Sequence, residues 1–274
     1  MVEIEPLTPV VGGVVHGVDL GRALDDVTVK ELRGALLDHG VLFFLQQDMT
    51  DDDQLRLAEA FGPVMTPLLD SSGNRTPGVT VADQAKGGGV GTDRWHCDTT
   101  FVAEPPLGAI LRAVQLPAVG GDTLFASMYA AYDALSPAMR EMLDGLTARH
   151  SPAFVNELLQ GMPNIVHREG QDDSAIHPVI RVHPETGRKL LFVNSNWTVR
   201  IVELALAESR ALLDFLYEHV KSPEFQCRFR WEPGSVAFWD NRAVQHFAVP
   251  DYIERRVMHR VLIAGDAPRG PARS

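Results

Sequence analysis

The chain has 274 residues, enough for one large domain or two small ones, and its 45% hydrophobic and 22% charged residues are the balance of a soluble globular protein. Its net charge of −11 argues against nucleic acid as a partner, because phosphate binding needs a basic face. No apolar run approaches the ~20 residues of a membrane span, and the start Met1-Val-Glu-Ile-Glu-Pro6 lacks the basic and apolar regions of a signal peptide, so a cytoplasmic protein that does not bind membranes is expected.

In chain order, the alternating apolar stretch at Gly12-Gly-Val-Val15 predicts an early strand. Thr28-Val-Lys-Glu31 reads as a capping box opening a helix through Leu32, Leu36 and Leu37, with Gly40 as its stop. Val41 to Leu45 reads as a buried strand. Thr50-Asp-Asp-Asp53 starts a second helix ending near Gly62-Pro63; the acidic run complements the helix dipole there and is a cap, not a metal cluster. Residues 66–92 are rich in Gly, Ser and Pro and read as a loop insertion, a candidate lid interrupted by a short strand from Val79 to Ala82. The run Gly87-Gly-Gly-Val-Gly91 lacks the ending of a phosphate-binding loop. From Leu107 on, short strand-like runs alternate with turns, and Ser127 and Ser136-Pro137 mark two helix starts. Residues 150–175 read as a second loop insertion, 204–220 as a helix, 228–231, 235–239 and 256–264 as strands, and Ala267 to Ser274 as a frayed tail. There is no internal repeat. The pattern predicts a mainly β domain over 1–274, a jelly roll of the cupin kind with helices grouped at one end.

The run Arg94-Trp-His-Cys-Asp-Thr-Thr-Phe101 carries the chemistry. On a strand, His96 and Asp98 point to one face while Cys97 alternates away, a small buried hydrophobe. Only Cys97 and Cys227 are cysteines, too few for a disulfide scaffold. Far downstream stand Phe238-Trp-Asp-Asn-Arg-Ala-Val-Gln-His246 and Arg255-Arg-Val-Met-His-Arg260. Two histidines and one carboxylate make the facial triad of non-haem Fe(II) oxygenases, with open positions. The same three ligands can also hold zinc for hydrolysis. Alternation puts Arg256, Met258 and Arg260 on one strand face and His259 on the other.

Taken together, Trp95-His-x-Asp-x-Thr-Phe101, Gly120-Gly-Asp-Thr-Leu124, His177-Pro-Val, Arg181-x-His-Pro184, Leu191-Phe-Val-Asn194, Trp239-Asp-Asn-Arg242 with His246, and Arg256-x-Met-His-Arg260 resemble the taurine dioxygenase family of Fe(II)- and 2-oxoglutarate-dependent oxygenases. The resemblance implies a double-stranded β-helix. It implies Fe(II) held by His96, Asp98 and His246, with 2-oxoglutarate and O2 as co-substrates. It assigns the distal carboxylate of 2-oxoglutarate to Arg256, a hydrogen bond to the same co-substrate to Thr123, and the acidic group of a small anionic organic substrate to Arg260. Phe101 and Trp197 match aromatic positions near that substrate, though both also read as core aromatics. His177 and His183 belong to the anchors as scaffold. Retention of Asp98 disfavours halogenation. The family suggests homodimers or homotetramers.

Two positions depart from the taurine-using pattern: Phe61-Gly62 leads to Pro63-Val-Met-Thr-Pro67 where a histidine is expected, and Thr92 stands where an asparagine is expected. Met65 and Thr92 point to a less polar pocket, for an alkyl sulfate, an alkylsulfonate or an aryloxyalkanoate, and put taurine itself in doubt. Two other readings stand beside this one: a metal-dependent hydrolase, which gives Arg256 and Thr123 no task, and a non-catalytic anion-binding jelly-roll module.

Overall fold

The computed structural model describes residues 2–66, 76–84, 92–153 and 174–272. Strands β1 (Glu3–Pro6), β2 (Gly13–His16), β3 (Val41–Phe44), β4 (Val79–Gln84) and β5 (Gly108–Gln115) precede β6 (Thr123–Ser127). Then follow β7 (Thr147–His150), β8 (Ala175–Pro178), β9 (Ile180–Val182), β10 (Lys189–Leu191), β11 (Thr198–Ile201) and β12 (Gln226–Phe229). The last three are β13 (Val236–Asp240), β14 (Val244–Ala248) and β15 (Arg256–Ile263). The five α-helices among the described residues are α1 (Asp26–His39), α2 (Asp51–Glu59), α3 (Met128–Asp133), α4 (Pro137–Leu143) and α5 (Leu206–His219). A seven-stranded sheet runs β1-β2-β3-β13-β5-β15-β4, and a three-stranded sheet runs β12-β6-β14. Smaller sheets β11-β7-β8 and β10-β9 complete the mostly antiparallel jelly roll expected from the sequence.

The central strands of the large sheet are buried on both faces, which is why they read as unbroken apolar runs. Val41 and Phe43 of β3, with Ala237 and Trp239 of β13, face the small sheet and pack with Phe125, Phe229 and Val244. Their neighbours Leu42, Phe44, Val236 and Phe238 point the other way, against Leu32 and Leu36 of α1 and Leu57 and Ala58 of α2. Helices α3, α4 and α5 cover a separate cluster with β9 and β10. The helices are therefore divided between two cores rather than grouped at one end.

Local signals placed most helix ends. Thr50 and Asp53 form a reciprocal capping box on α2, Ser127 caps α3, and Ser136 with Pro137 opens α4. Helix α1 differs: Asp25 is its cap, accepting from the Thr28 backbone N–H at 2.7 Å, so the helix starts two residues before the predicted box. Gly40 ends it with φ at 72°, a left-handed value that suits glycine. The expected loop 66–92 holds a longer strand than predicted, because β4 pairs with β15 from Val79 to Gln84; the remainder, 67–75 and 85–91, lies outside the described residues, as does 154–173 of the second expected loop. Residues 267–272 are not a frayed tail. Val182 N–H donates to Arg269 O at 2.8 Å, and the buried Arg181 donates to Asp266 at 2.7 Å. Tertiary partners decide that segment, and its own residues carry no strand pattern.

The turn from β13 to β14 is clamped by buried charge. Arg242 grips Asp240 through two bonds of 2.9 and 2.7 Å, His183 donates to the same carboxylate at 3.1 Å, and Glu185 pairs with Arg242 at 2.8 Å. Burial by itself pushes the Asp240 carboxyl up, but Arg242 and His183 outweigh it and hold it well below the usual carboxylate range. Asp240→Ala strands the buried Arg242 with only Glu185, and a loss of about 3–5 kcal/mol is expected in urea unfolding. A loss below about 1 kcal/mol would mean that the clamp is not stabilising this turn.

Candidate active site

His246 sits on β14 of the small sheet, and His96 lies beside it in an isolated antiparallel bridge. The two exchange backbone bonds, His246 N–H to His96 O at 2.8 Å and His96 N–H to His246 O at 3.1 Å. Their rings come to 4.1 Å between centroids. The predicted strand does not continue to Asp98. The chain turns there, and Thr99 takes a positive φ of 46°. Asp98 reaches the imidazoles from this turn and not by alternation.

Side chains outside the motif pin the turn. The Asn241 amide accepts from the Asp98 N–H at 2.7 Å and donates to the Asp98 carbonyl at 3.1 Å, as a neighbouring strand would. The Trp197 indole N–H donates to the Cys97 carbonyl at 2.8 Å, and the Cys97 thiol donates to Val244 O at 3.3 Å. Below the turn, Thr100 meets His150 at 2.8 Å, and His177 donates to the Thr100 carbonyl at 2.9 Å.

The ligand atoms of His96, Asp98 and His246 lie within 4.8 Å of one another, and all three residues are buried. His96 donates from Nδ1 to the Arg94 carbonyl at 2.7 Å, which leaves the Nε2 lone pair directed inward, 3.9 Å from Asp98 Oδ1. Burial lowers both imidazoles below their ordinary pKa and so favours the neutral, ligating form. For Asp98, burial pushes the carboxyl up, but Arg260 and the two imidazoles override it and leave it lowered. Among the described residues, Asp98 Oδ2 and His246 Nδ1 are buried without a hydrogen-bond partner. Two neutral imidazoles and one carboxylate converging in a buried pocket fit a ferrous ion.

A cavity of about 120 Å³ adjoins the cluster, lined by His96, His246, Thr123, Arg256, Met258 and Arg260 together with Thr80, Ala82, Gln84, Thr92, Leu111, Trp239 and Ala248. Arg256, Met258 and Arg260 share this face as their alternation predicted. Arg256 is 3% exposed, with Nε and Nη2 unpartnered among the described residues. Burial lowers its pKa, and Tyr252 and Asp122 offset part of that effect. Gly121, at φ 75°, lets the backbone pass close: a Cβ there would stand 3.1 Å from Arg256 Cδ. Arg260 donates to Asp98 Oδ1 at 2.6 Å, next to the imidazoles. His259 turns away to Asp51 at 2.6 Å, in a structural network with Arg112.

Three sequence expectations take a different form. Met65 does not line the cavity but packs on the inter-sheet core; Ala82 and Leu111 supply the apolar wall instead. Phe101 and Trp197 pack on each other at 4.8 Å and line no part of this cavity among the described residues, and Trp197 supports the ligand turn through its backbone bond. Asn241 stands inside the Trp239-Asp-Asn-Arg242 motif, but nothing in the sequence pointed to its bonds with Asp98. Trp231, which donates to Thr123 Oγ1 at 2.9 Å, carried no sequence signal at all.

The chain matches the family model described as taurine catabolism dioxygenase TauD, TfdA family, over residues 3–262. It is 37% identical to an alpha-ketoglutarate-dependent sulfate ester dioxygenase of Pseudomonas putida, over 98% of this chain and 91% of that protein. It is 36% identical to an alkylsulfatase of Acinetobacter baylyi, over 98% of this chain and 86% of that one. Among solved structures, a taurine dioxygenase from Burkholderia xenovorans superposes with a TM-score of 0.85 at 36% identity, covering 98% of this chain and 91% of that chain. AAD-2, solved in complex with Mn(II) and N-oxalylglycine, superposes with a TM-score of 0.85 at 30% identity, covering 98% of this chain and 99% of that one. With its motifs in order, its jelly roll and a family match over nearly its whole length, this chain belongs to the TauD, TfdA family of dioxygenases.

Proposed function

We propose that the protein is an Fe(II)- and 2-oxoglutarate-dependent dioxygenase that hydroxylates a small organic anion, with release of succinate and CO2. The observation that carries the reading is one cavity lined both by the two histidines of a two-histidine, one-carboxylate cluster and by a guanidinium with unpartnered N–H groups among the described residues. In this reading His96, Asp98 and His246 hold the iron, which when bound with 2-oxoglutarate supplies O2 activation and C–H hydroxylation. Arg256 and Thr123 hold the distal carboxylate of the co-substrate, a planar group that arginine pairs in bidentate fashion. Arg260 orients the anionic group of the prime substrate beside Asp98. Burial of all three ligands keeps bulk water from the reacting centre. The family match over residues 3–262 supports a single catalytic domain.

The prime substrate in this reading is a sulfate ester, an alkylsulfonate or an aryloxyalkanoate. Relatives at 37% and 34% identity are a sulfate ester dioxygenase and an (S)-phenoxypropionate dioxygenase. The walls Ala82, Leu111 and Met258 offer carbon-chain contact to such a substrate. Hydroxylation of the carbon bearing the heteroatom yields an aldehyde or ketone and frees the anion.

Anaerobic addition of Fe(II) and 2-oxoglutarate should give a weak visible charge-transfer band, and a panel of alkyl sulfates, alkylsulfonates and aryloxyalkanoates should release succinate when O2 is admitted. Arg260→Ala should raise the KM for the responding anion by about tenfold or more, as expected for loss of a charged hydrogen bond, while the KM for 2-oxoglutarate stays near wild type. No band with metal bound would overturn the co-substrate assignment. Equal rises in both KM values would overturn the role given to Arg260.

A further inference from the structure

We propose that Trp231 is a positioning residue for 2-oxoglutarate, acting through Thr123 and Arg256. This rests on the reading that the co-substrate carboxylate lies between those two. Trp231 follows β12 in the inter-sheet core, where it stands edge-on to Phe229 at 5.0 Å between ring centroids. Its indole N–H donates to Thr123 Oγ1 at 2.9 Å, and both residues are buried. An indole can only donate, so Thr123 must accept from it, and the hydroxyl keeps its own proton for another partner. None of the hydrogen bonds among the described residues uses that proton, and Thr123 lines the cavity beside Arg256. The bond therefore turns the hydroxyl into a donor aimed at a carboxylate.

The same indole faces the other half of the clamp. The Arg256 guanidinium carbon lies 5.9 Å from the Trp231 ring centroid and 5.9 Å from that of Tyr252. Two aromatic rings restrain the planar cation by packing and leave its unpartnered N–H groups for the ligand. Bonding is not forced on every buried indole here: Trp239 lines the same cavity, and its Nε1 has no partner among the described residues. Trp231 is thus one residue that sets the hydrogen-bonding role of Thr123 and packs on Arg256.

The test is calorimetric titration of 2-oxoglutarate into Mn(II)-loaded protein, which reads binding without turnover. Trp231→Phe, which keeps an apolar ring and loses the N–H, should weaken 2-oxoglutarate about threefold to tenfold. In a Thr123→Val background the same change should have little further effect, because the hydroxyl it orients is gone. A merely structural role would not produce that coupling. Replacing the Trp231 indole by benzothiophene preserves size and ring, and stands in if the phenylalanine variant does not fold. The inference is overturned if these Trp231 variants bind 2-oxoglutarate like wild type, or if the loss is equally large in the Thr123→Val background. If Thr123→Val and Arg256→Ala also bind normally, the co-substrate placement itself is wrong; if those two weaken and Trp231→Phe does not, only the role of Trp231 falls.

Discussion

Arg256→Ala should raise the 2-oxoglutarate requirement by about thirtyfold or more, because a buried carboxylate that loses its charged partner is destabilised by roughly 2–5 kcal/mol. The side chain is 3% exposed and no carboxylate of the described residues is bonded to it, so Nε and Nη2 are left for a ligand in the proposed reading. Arg256→Lys should recover little of the loss, since an ammonium cannot reproduce the planar bidentate pairing. The effect on folding should run the other way. A buried guanidinium with unpartnered N–H groups weakens the fold that contains it, so Arg256→Met should melt no lower than wild type. Calorimetry with 2-oxoglutarate and thermal melts of the same variants separate the two effects. An unchanged affinity in Arg256→Ala would place the co-substrate elsewhere, and a large drop in melting temperature for Arg256→Met would make the arginine structural.

His96→Ala should reduce O2-dependent succinate release by about a thousandfold or more, since metal-ion catalysis contributes several kcal/mol of stabilisation to the reacting centre. The imidazole presents Nε2 to the site because Nδ1 is engaged by the Arg94 carbonyl at 2.7 Å, and no other described histidine shares a cluster of ligand atoms with Asp98 and His246. The backbone bridge from residue 96 to His246 does not depend on the side chain, so the pocket should persist without its third ligand. Mn(II) binding followed by electron paramagnetic resonance should weaken in parallel with activity. Full activity in His96→Ala would remove these residues from the metal site altogether. O2-independent cleavage of the substrate by the wild-type protein, lost in His96→Ala, would instead favour metal-dependent hydrolytic chemistry.

The chemistry was legible because ligand type and order are properties of the chain. His96, Asp98, His246, Arg256 and Arg260 could be named from short motifs; Asp98 clusters with the two histidines, and the histidines line one cavity with the two arginines. Helix ends set by local bonds were equally readable, as at Thr50 with Asp53 and at Ser136 with Pro137. Elements held by distant partners were less so. Strand β14, which carries His246, was not read as a strand, although it pairs with β6 along its whole length. Residues 267–272 read as a tail and are tied back to β9.

The sequence by itself determined which groups are available: two imidazoles, a carboxylate and two arginines spaced to share a strand face. Only the tertiary structure decided how they meet. Asp98 reaches the imidazoles from a turn that Asn241 holds across 143 residues of chain, at 2.7 Å. Trp231 meets Thr123 across 108 residues, at 2.9 Å. Side-chain periodicity reports the face of one element, whereas a hydrogen bond between distant segments depends on the packing of both, and that packing is fixed only when the two sheets close on their common core.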